Sequence, residues 1–278
     1  MSNGIKEVPH SLNVIWLSYA ENTFYSINCE VDYDKMVQLF KEGYQDSMWF
    51  FNDGRNQKIT YDVIVVGFAP GGVVVVWLSG GGKQVEIGRY QGEKIIIPQE
   101  KIARLDRHDQ LIFQEDYRKK IMLNEKIVPL EVQKANKNKP IPYGLWDTYR
   151  EKYNWRPEFV VQEKGKMENT YFTFFNGEVE EQFDQSLIKN EFAQRAIPKE
   201  LDLGWRDKTG QSYGGEIVFD EEEIFNAYQE VYKDNKEGKA ELQMRINIPN
   251  DFITFMLKGN GKEIRLPKTK VHIYESRK

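Results

Sequence analysis

The glycine-rich segment "LSGGGKQVEI" at residues 78–87 holds the residues that most directly suggest chemistry. A glycine loop followed by a lysine can bind phosphate when a helix begins directly after it, because the N-terminal amides of the helix then face the anion. Here Val85 and Ile87 alternate with Glu86 after the loop, which is the period of a strand. The segment therefore predicts a β-hairpin rather than a nucleotide site, with Lys83 as a turn residue.

Other residue types that often carry catalysis lack the spacing that catalysis needs. Ser79 is outside a G-x-S-x-G nucleophile elbow. His10, His108 and His272 have no partner at the spacing of zinc ligands. The acidic run at 220–223 is interpreted as a helix N-terminus, where the helix dipole favours negative charge. We expect no cofactor, no metal and no enzymatic activity; a hydrolase whose carboxylates come from distant positions stays as a third alternative.

Aromatic and arginine side chains are concentrated between residues 143 and 156. Interfaces concentrate their binding energy in Trp, Tyr and Arg, and large aromatic residues also form sugar-stacking platforms. The competing interpretation is that these side chains pack a connecting segment onto the rest of the protein. The candidate binding surface consists of Tyr143, Trp146, Tyr149, Trp155 and Arg156.

The hairpin pattern occurs twice in the chain. "LKGNGKEIRL" at 257–266 aligns without a gap with residues 78–87, and its Asn260-Gly261 pair is typical of a tight hairpin turn. Upstream, "LNVIW" at 12–16 parallels "LDLGW" at 201–205. These matches indicate an internal repeat; chance similarity between turn-rich β sequences is the alternative.

Each copy of the repeat contains a predicted helix. "EVDYD" at 30–34 parallels "EIVFD" at 216–220, and Asp34 and Asp220 are the predicted helix N-caps. The second helix places one apolar face on a sheet. That face consists of Ile224, Phe225, Tyr228, Val231 and Tyr232.

The elements together predict an α+β protein made of two related antiparallel-sheet modules, each covered by a helix. The modules are residues 1–97 and 201–278, and residues 98–200 connect them. Within this connecting region we expect a short helix at 115–128, a linker at 133–144 and a hairpin around Asn176-Gly177. "MWFFND" at 48–53 is predicted to be a buried strand end or corner.

Composition narrows the functional classes. The chain of 278 residues is 40% hydrophobic, which suits a folded protein, and its net charge of -4 disfavours general nucleic-acid binding. The longest apolar run, at 73–78, is far shorter than a transmembrane helix requires. No export signal is visible, and Cys29 lacks the preceding hydrophobic region of a lipid-attachment site. We expect either a cytoplasmic protein or a mature form whose signal was removed.

Two segments resemble a known family. "GFAPGGVVVVWLSGGGKQVEIGRYQG" at 67–92 and "IPYGLWDTYREKYNWRP" at 141–157 are similar to the bacterial lipoprotein-like family called domain of unknown function 2931. The resemblance implies an envelope-facing, non-enzymatic accessory protein. Many relatives carry an export signal and a lipid-attachment cysteine, which this sequence does not show.

The functional expectation is a bacterial envelope-type binding protein that recognises another protein, for example an immunity-like protein that blocks a secreted antibacterial effector. The alternative is a small-ligand or glycan-binding protein that uses Trp146 and Trp155 in an aromatic cleft between the modules.

Overall fold

The chain folds into an α+β structure with mostly antiparallel strands, as the sequence predicts. The computed structural model describes residues 7–47 and 58–276. The strands are β1 (Ser11–Ser18), β2 (Thr23–Glu30), β3 (Tyr44–Gln45), β4 (Lys58–Ile59), β5 (Val63–Ala69), β6 (Val73–Ser79), β7 (Lys83–Gln91), β8 (Glu93–Ile95), β9 (Tyr153–Val161), β10 (Lys166–Phe174), β11 (Val179–Phe183), β12 (Ala193–Arg195), β13 (Pro198–Arg206), β14 (Ser212–Val218), β15 (Ala240–Ile246), β16 (Ile253–Gly259), β17 (Lys262–Arg265) and β18 (Lys270–Glu275).

Helices account for less of the described chain. The α-helices are α1 (Tyr33–Glu42), α2 (Gln99–Ile102), α3 (Glu115–Leu123), α4 (Leu130–Asn136), α5 (Leu145–Tyr149), α6 (Gln185–Lys189) and α7 (Glu221–Tyr232). Short 3₁₀ helices occur at Asp109–Phe113 and Gln162–Lys164.

The chain forms two compact units that are interleaved in sequence. The first unit consists of Met1–Lys41, Ile64–Leu78 and Glu86–Trp146. The second unit consists of Glu42–Val63, Ser79–Val85 and Asp147–Lys278. The three segments predicted from the sequence are 1–97, 98–200 and 201–278. Their bounds differ from those of the two units, because the segments were defined by the internal repeat. The three-segment division stays a prediction.

The first unit contains a three-stranded antiparallel sheet in the order β1-β2-β8. The β1–β2 register runs without interruption from Ser11↔Glu30 to Ser18↔Thr23. Helix α1 follows this hairpin and buries Met36. Since side chains alternate along a strand, Trp16 and its cross-strand neighbour Tyr25 share the inward face.

The helix caps confirm one prediction and correct another. Asp220 is the N-cap of α7, and its carboxylate accepts a hydrogen bond from the Glu223 amide at 3.0 Å. The prediction for Asp34 is wrong, because α1 begins at Tyr33 and Asp34 therefore lies in its first turn. Asp32 accepts the equivalent bond, from the Lys35 amide at 3.0 Å.

The predicted hairpins are confirmed. The Gly80 amide donates to the Lys83 carbonyl at 2.9 Å in the turn between β6 and β7. Between β16 and β17, Asn260 and Gly261 have φ of 50° and 76°, the left-handed values that a type I′ turn requires. The third hairpin joins β10 to β11 at Asn176-Gly177.

The second unit is built from two sheets and α7. One sheet contains the order β18-β14-β13-β10-β11, and the other has the order β12-β9-β15-β16-β17, in which β9 and β15 are parallel. Both sheets and α7 contribute side chains to one apolar core. The buried residues include Leu201, Leu203 and Trp205 of β13, Leu242 and Met244 of β15, and Ile224, Tyr228 and Val231 of α7.

The region at 98–200 contains more regular structure than the sequence indicated. The helix predicted at 115–128 is present as α3 but ends at Leu123, and the hairpin around Asn176-Gly177 is present. The predicted linker at 133–144 begins inside α4. Strands β9 and β12 also lie in this region and were not predicted. The segment at 48–53 lies outside the described residues.

Candidate functional site

A cavity of about 310 Å³ lies against the three-stranded sheet of the first unit. Strands β1 and β2 form one wall, and the segment between Ile97 and Tyr117 forms the other. The walls are mainly apolar, and the rings of Phe24 and Phe113 stack with their centroids 4.9 Å apart. The apolar lining includes Ile15, Phe24, Leu105, Ile112 and Phe113.

The cavity exists because β1 is apolar on both faces. Ile15 and Leu17 lie on the face that contacts the cavity, and Leu17 pairs across the sheet with Phe24. Trp16 also belongs to the lining, although its ring stacks on Tyr25 on the opposite face with a centroid distance of 5.4 Å. Ile15 remains 60% exposed, so the apolar surface continues beyond the cavity.

Polar groups are few at this site. His108, Asp109 and Tyr117 belong to the lining, and the other lining positions are apolar or aromatic. Ligand pockets have this composition, and their volumes begin near 300 Å³. A cavity of about 310 Å³ lies at the lower end of that range and has room for an aromatic or branched aliphatic group.

Glu21 forms a hydrogen-bond cluster elsewhere in the first unit. Its carboxylate accepts bonds from the Tyr25 hydroxyl at 2.6 Å, the Tyr143 hydroxyl at 2.9 Å and the Gly71 amide at 3.0 Å. Burial raises the pKa of Glu21, but these donors and Ser18 outweigh burial, and the net pKa is lowered. These donors favour the ionised form of the Glu21 carboxylate.

The glycines beside this cluster are required by backbone geometry. Gly71 and Gly72 have φ of 84° and 77°. The Gly92 amide donates to the Gly72 carbonyl at 2.7 Å, and the Gln91 side chain donates to the Gly71 carbonyl at 2.7 Å. A Cβ atom on Gly72 would lie 2.5 Å from the Gly92 oxygen. The A-P-G-G and Y-Q-G segments that carry the family resemblance thus join the β5–β6 turn to the end of β7.

The lysine after the second glycine turn has a structural role. Lys262 Nζ donates to the Glu230 carbonyl at 2.7 Å and lies 2.9 Å from the Asp234 carboxylate. Asn260 Nδ2 donates to the Val231 carbonyl at 2.9 Å. The turn therefore satisfies carbonyl groups at the C-terminal end of α7, where positive charge is favourable.

The predicted binding surface is divided between the two units. Tyr143 and Trp146 belong to the first unit, and Tyr149, Trp155 and Arg156 belong to the second. Tyr143 is 59% exposed, although its hydroxyl is bonded to Glu21. Trp146 is half-buried.

Trp155 is fully buried, so its assignment to a binding surface is wrong. It lies on the inward face of β9, and its indole N–H donates to the Arg195 and Ala196 carbonyls at 3.3 and 3.2 Å. Its ring contacts Phe172 and Tyr228 edge-on in the core of the second unit. A sugar cannot stack on this ring.

Tyr149 and Arg156 have partners within the second unit. The Tyr149 hydroxyl donates to Glu221 at 2.6 Å; burial and this carboxylate both raise the pKa of Tyr149. Arg156 forms an ion pair with Glu241, its neighbour across the parallel β9–β15 pair. The Arg156 guanidinium also lies 4.5 Å from the ring centroid of Phe192.

The apolar cavity was not predicted from the sequence. Its residues have the types and spacing of ordinary core positions. The available signal was the run "LNVIWL" at 12–17, because a strand that is apolar at consecutive positions contacts apolar groups on both faces.

Within 7–47 and 58–276, no group of three or more His, Cys, Asp or Glu side chains could hold a metal ion. No helix in that part of the chain has the length and apolar character needed to cross a membrane.

Comparison with curated proteins and with solved structures gave no match. The model of one protein family matches residues 1–144, which is more than half of the 278 residues. The matched range includes Glu21, the glycine turn at Gly71 and Gly72, and Tyr143. The chain therefore belongs to the family described as "Protein of unknown function (DUF2931)".

Proposed function

We propose that this protein is a non-enzymatic binding protein that recognises another protein through its first unit. The observation that carries the proposal is the apolar cavity of about 310 Å³ beside the exposed Ile15. Interfaces place an aromatic or aliphatic anchor of one partner in such a pocket of the other. The anchor would occupy the space between β1 and the Ile97–Tyr117 segment.

A protein partner fits this surface better than a small ligand. The apolar area is not confined to the cavity, because Ile15 and Leu105 are exposed at its rim and Ile96 is almost fully exposed nearby. A small ligand would leave these rim side chains in water, whereas a protein would cover them. The glycan alternative has lost one of its two tryptophans, because Trp155 is buried.

The concrete form that we propose is an immunity-like protein of the bacterial envelope, which binds and blocks a secreted antibacterial effector. The envelope setting and the accessory role come from the family resemblance. The described residues add a surface on which an effector could be held.

We also infer that the chain contains an internal duplication. Apart from the two-residue strands β3 and β4, which have no counterpart in the second copy, the element order β1-β2-α1-β5-β6-β7-β8 recurs as β13-β14-α7-β15-β16-β17-β18. In each copy the last strand pairs with the second strand: β8 pairs with β2, and β18 pairs with β14. Strand order of this kind is not a property of the shared hairpin turn alone.

Side-chain contacts support the duplication. Trp16 pairs with Tyr25 and stacks on it at 5.4 Å with an angle of 18° between the ring planes. Trp205 pairs with Tyr213 and stacks at 5.7 Å with an angle of 14°. Asp32 and Asp220 are the equivalent caps, so the two copies align at Asp32 rather than Asp34 in this region.

The proposed function is tested by capturing partners from the native host with three tagged baits: wild type, Leu105→Lys and Leu130→Lys. Leu105 lies at the cavity and is 39% exposed, whereas Leu130 of α4 is 41% exposed and does not line the cavity. High salt during washing screens weak surface attraction. We expect one stoichiometric partner, recovered equally by wild type and Leu130→Lys and at least tenfold less by Leu105→Lys. Equal recovery by both variants would refute the cavity as the interface.

A further inference from the structure

We propose that the outer edge of β1 binds an extended strand of the partner protein in antiparallel orientation, in the way that β13 binds β10 in the second unit. This inference rests on the proposed function and specifies the kind of contact. The strand addition would supply main-chain hydrogen bonds beside the anchor that enters the cavity.

The backbone groups on this edge are identified by the β1–β2 register. The Val31 amide donates to the His10 carbonyl at 3.0 Å, which marks that pair as hydrogen-bonded. Because such pairs alternate with non-bonded ones, Leu12, Val14 and Trp16 direct their amides and carbonyls toward β2. The intervening residues direct theirs away from β2: Ser11, Asn13, Ile15 and Leu17.

This edge has no neighbour in the described part of the chain, where β1 is the terminal strand of its sheet. Proteins usually protect such edges with charged residues, proline, bulges or very short strands. Strand β1 has eight residues, SLNVIWLS, with no charge and no proline, and its register shows no bulge. The terminal strands β17 and β18 carry charges, and β8 and β12 have three residues each. Strand β5 is also uncharged.

The equivalent edge in the second unit is occupied. The Phe219 amide donates to the Lys199 carbonyl at 3.0 Å, which marks these two residues as a hydrogen-bonded pair. Every second residue of β13 from Glu200 onward therefore directs its backbone amide and carbonyl toward β10. The pairs between these strands include Glu200↔Thr173, Asp202↔Tyr171 and Gly204↔Asn169. When Trp16 is aligned with Trp205, Ser11, Asn13 and Ile15 correspond to Glu200, Asp202 and Gly204. The backbone positions that receive β10 in one copy therefore have no strand partner within 7–47 and 58–276 in the other.

The comparison also defines the chemistry of the incoming strand. In β10, the residues opposite Leu201 and Leu203 are Phe172 and Thr170, and both are buried. Their equivalents would lie beside Leu12 and Val14. The partner strand must therefore be uncharged at these inward positions, because a charge there would lose its hydration without a counter-ion. On the other face of the sheet, the partner strand would lie beside Ile15, and an apolar residue is favoured at that position of the partner strand.

The first test compares two substitutions at one position, Asn13→Pro and Asn13→Ala, as baits in the capture experiment. Both remove the amide side chain, but only proline removes the outward backbone N–H and blocks close approach of a strand. We expect Asn13→Ala to recover the partner within threefold of wild type and Asn13→Pro at least tenfold less. A thermal melt of each variant establishes that it is folded.

Hydrogen exchange keeps the proposal testable where the proline variant fails to fold. In the free wild-type protein, the amides of Asn13, Ile15 and Leu17 should exchange fast and those of Leu12 and Val14 slowly. In the purified complex, the three fast amides should slow at least tenfold. A strand paired to the edge of β1 would slow exchange only at the odd-numbered amides, which point away from β2. A partner that merely covered a face of the sheet would produce no such difference between odd-numbered and even-numbered amides.

Three results would overturn the proposal. In the first result, the odd-numbered amides of β1 exchange at the same rate in the complex as in the free protein, while Leu105→Lys still fails to recover the partner. This result would refute strand addition and leave the proposed function in place. Protection that rises with protein concentration without a partner would assign the edge to a second copy of this chain. A wild-type bait that recovers no protein would refute both proposals.

Discussion

The ion pair between Arg195 and Glu180 should make the second unit sensitive to acid. Arg195 Nε and Nη2 donate to the two Glu180 carboxylate oxygens at 2.8 and 2.9 Å. The side chains are only 10% and 18% exposed. Burial alone raises the pKa of Glu180, but the Arg195 hydrogen bonds and the charges of Lys83 and Arg195 lower it to about 2.

The size of the effect follows from this shift. Lowering the pKa from 4.5 to about 2 corresponds to about 3 kcal/mol of folding free energy, at about 1.4 kcal/mol per pH unit. The folded-state pKa is below the unfolded-state value, so this stabilisation is complete above about pH 4.5 and is lost as the pH falls toward 2. Glu180→Gln should therefore lower the free energy of unfolding by about 3 kcal/mol at pH 7, and the difference should shrink between pH 4.5 and 2.

Urea unfolding of wild type and Glu180→Gln at a series of pH values measures both quantities. Glu168→Gln is the matched control, since Glu168 pairs with Arg206 on the surface and should change stability by less than about 1 kcal/mol. A Glu180→Gln difference that stays constant from pH 7 to pH 2 would refute the assignment of the stabilisation to the ionised carboxylate.

Three further predictions concern stability. Trp155→Ala should lower the free energy of unfolding by about 3 to 5 kcal/mol in urea unfolding, because it empties a core position; a smaller loss with impaired partner capture would contradict its burial. Glu21→Gln should cost about 1 to 2 kcal/mol in the same measurement, since the hydroxyl and amide donors would lose a charged acceptor, and no change would contradict the cluster. Gly72→Ala should lower the melting temperature more than Gly210→Ala. Both glycines have positive φ, but only at Gly72 would the added Cβ atom clash with a backbone oxygen, that of Gly92. Equal shifts would mean that backbone strain alone is responsible.

Local signals in the sequence predicted the hairpins and one of the two helix caps. Asn260-Gly261 forms the expected turn because few other residue pairs accept two left-handed conformations. The cap of α1 could not be chosen from the sequence, because Asp32 and Asp34 are both competent caps. Only the end of β2 at Glu30 decides between them.

The aromatic segment failed as a predictor of a surface because packing and recognition use the same residue types. Trp155 is flanked by polar residues, and only its position on the inward face of β9 buries it. Strand β9 was not predicted, and it contains Pro157, which has no N–H to donate to a neighbouring strand. The structure tolerates this proline next to β15, and its carbonyl accepts a hydrogen bond from Asn190 Nδ2 at 2.6 Å.

The interleaving of the two units limits how the protein can be divided. The family range ends at residue 144, yet it includes Glu42–Val63 and Ser79–Val85, which belong to the second unit. Lys83 and Gln84 pair there with residues beyond the end of that range, at Glu180 and Val179. A fragment cut at residue 144 would carry these segments without their partners. The range that defines the family therefore does not coincide with either compact unit of the structure. A relative that ended at this point would have to satisfy the same strand ends with other contacts.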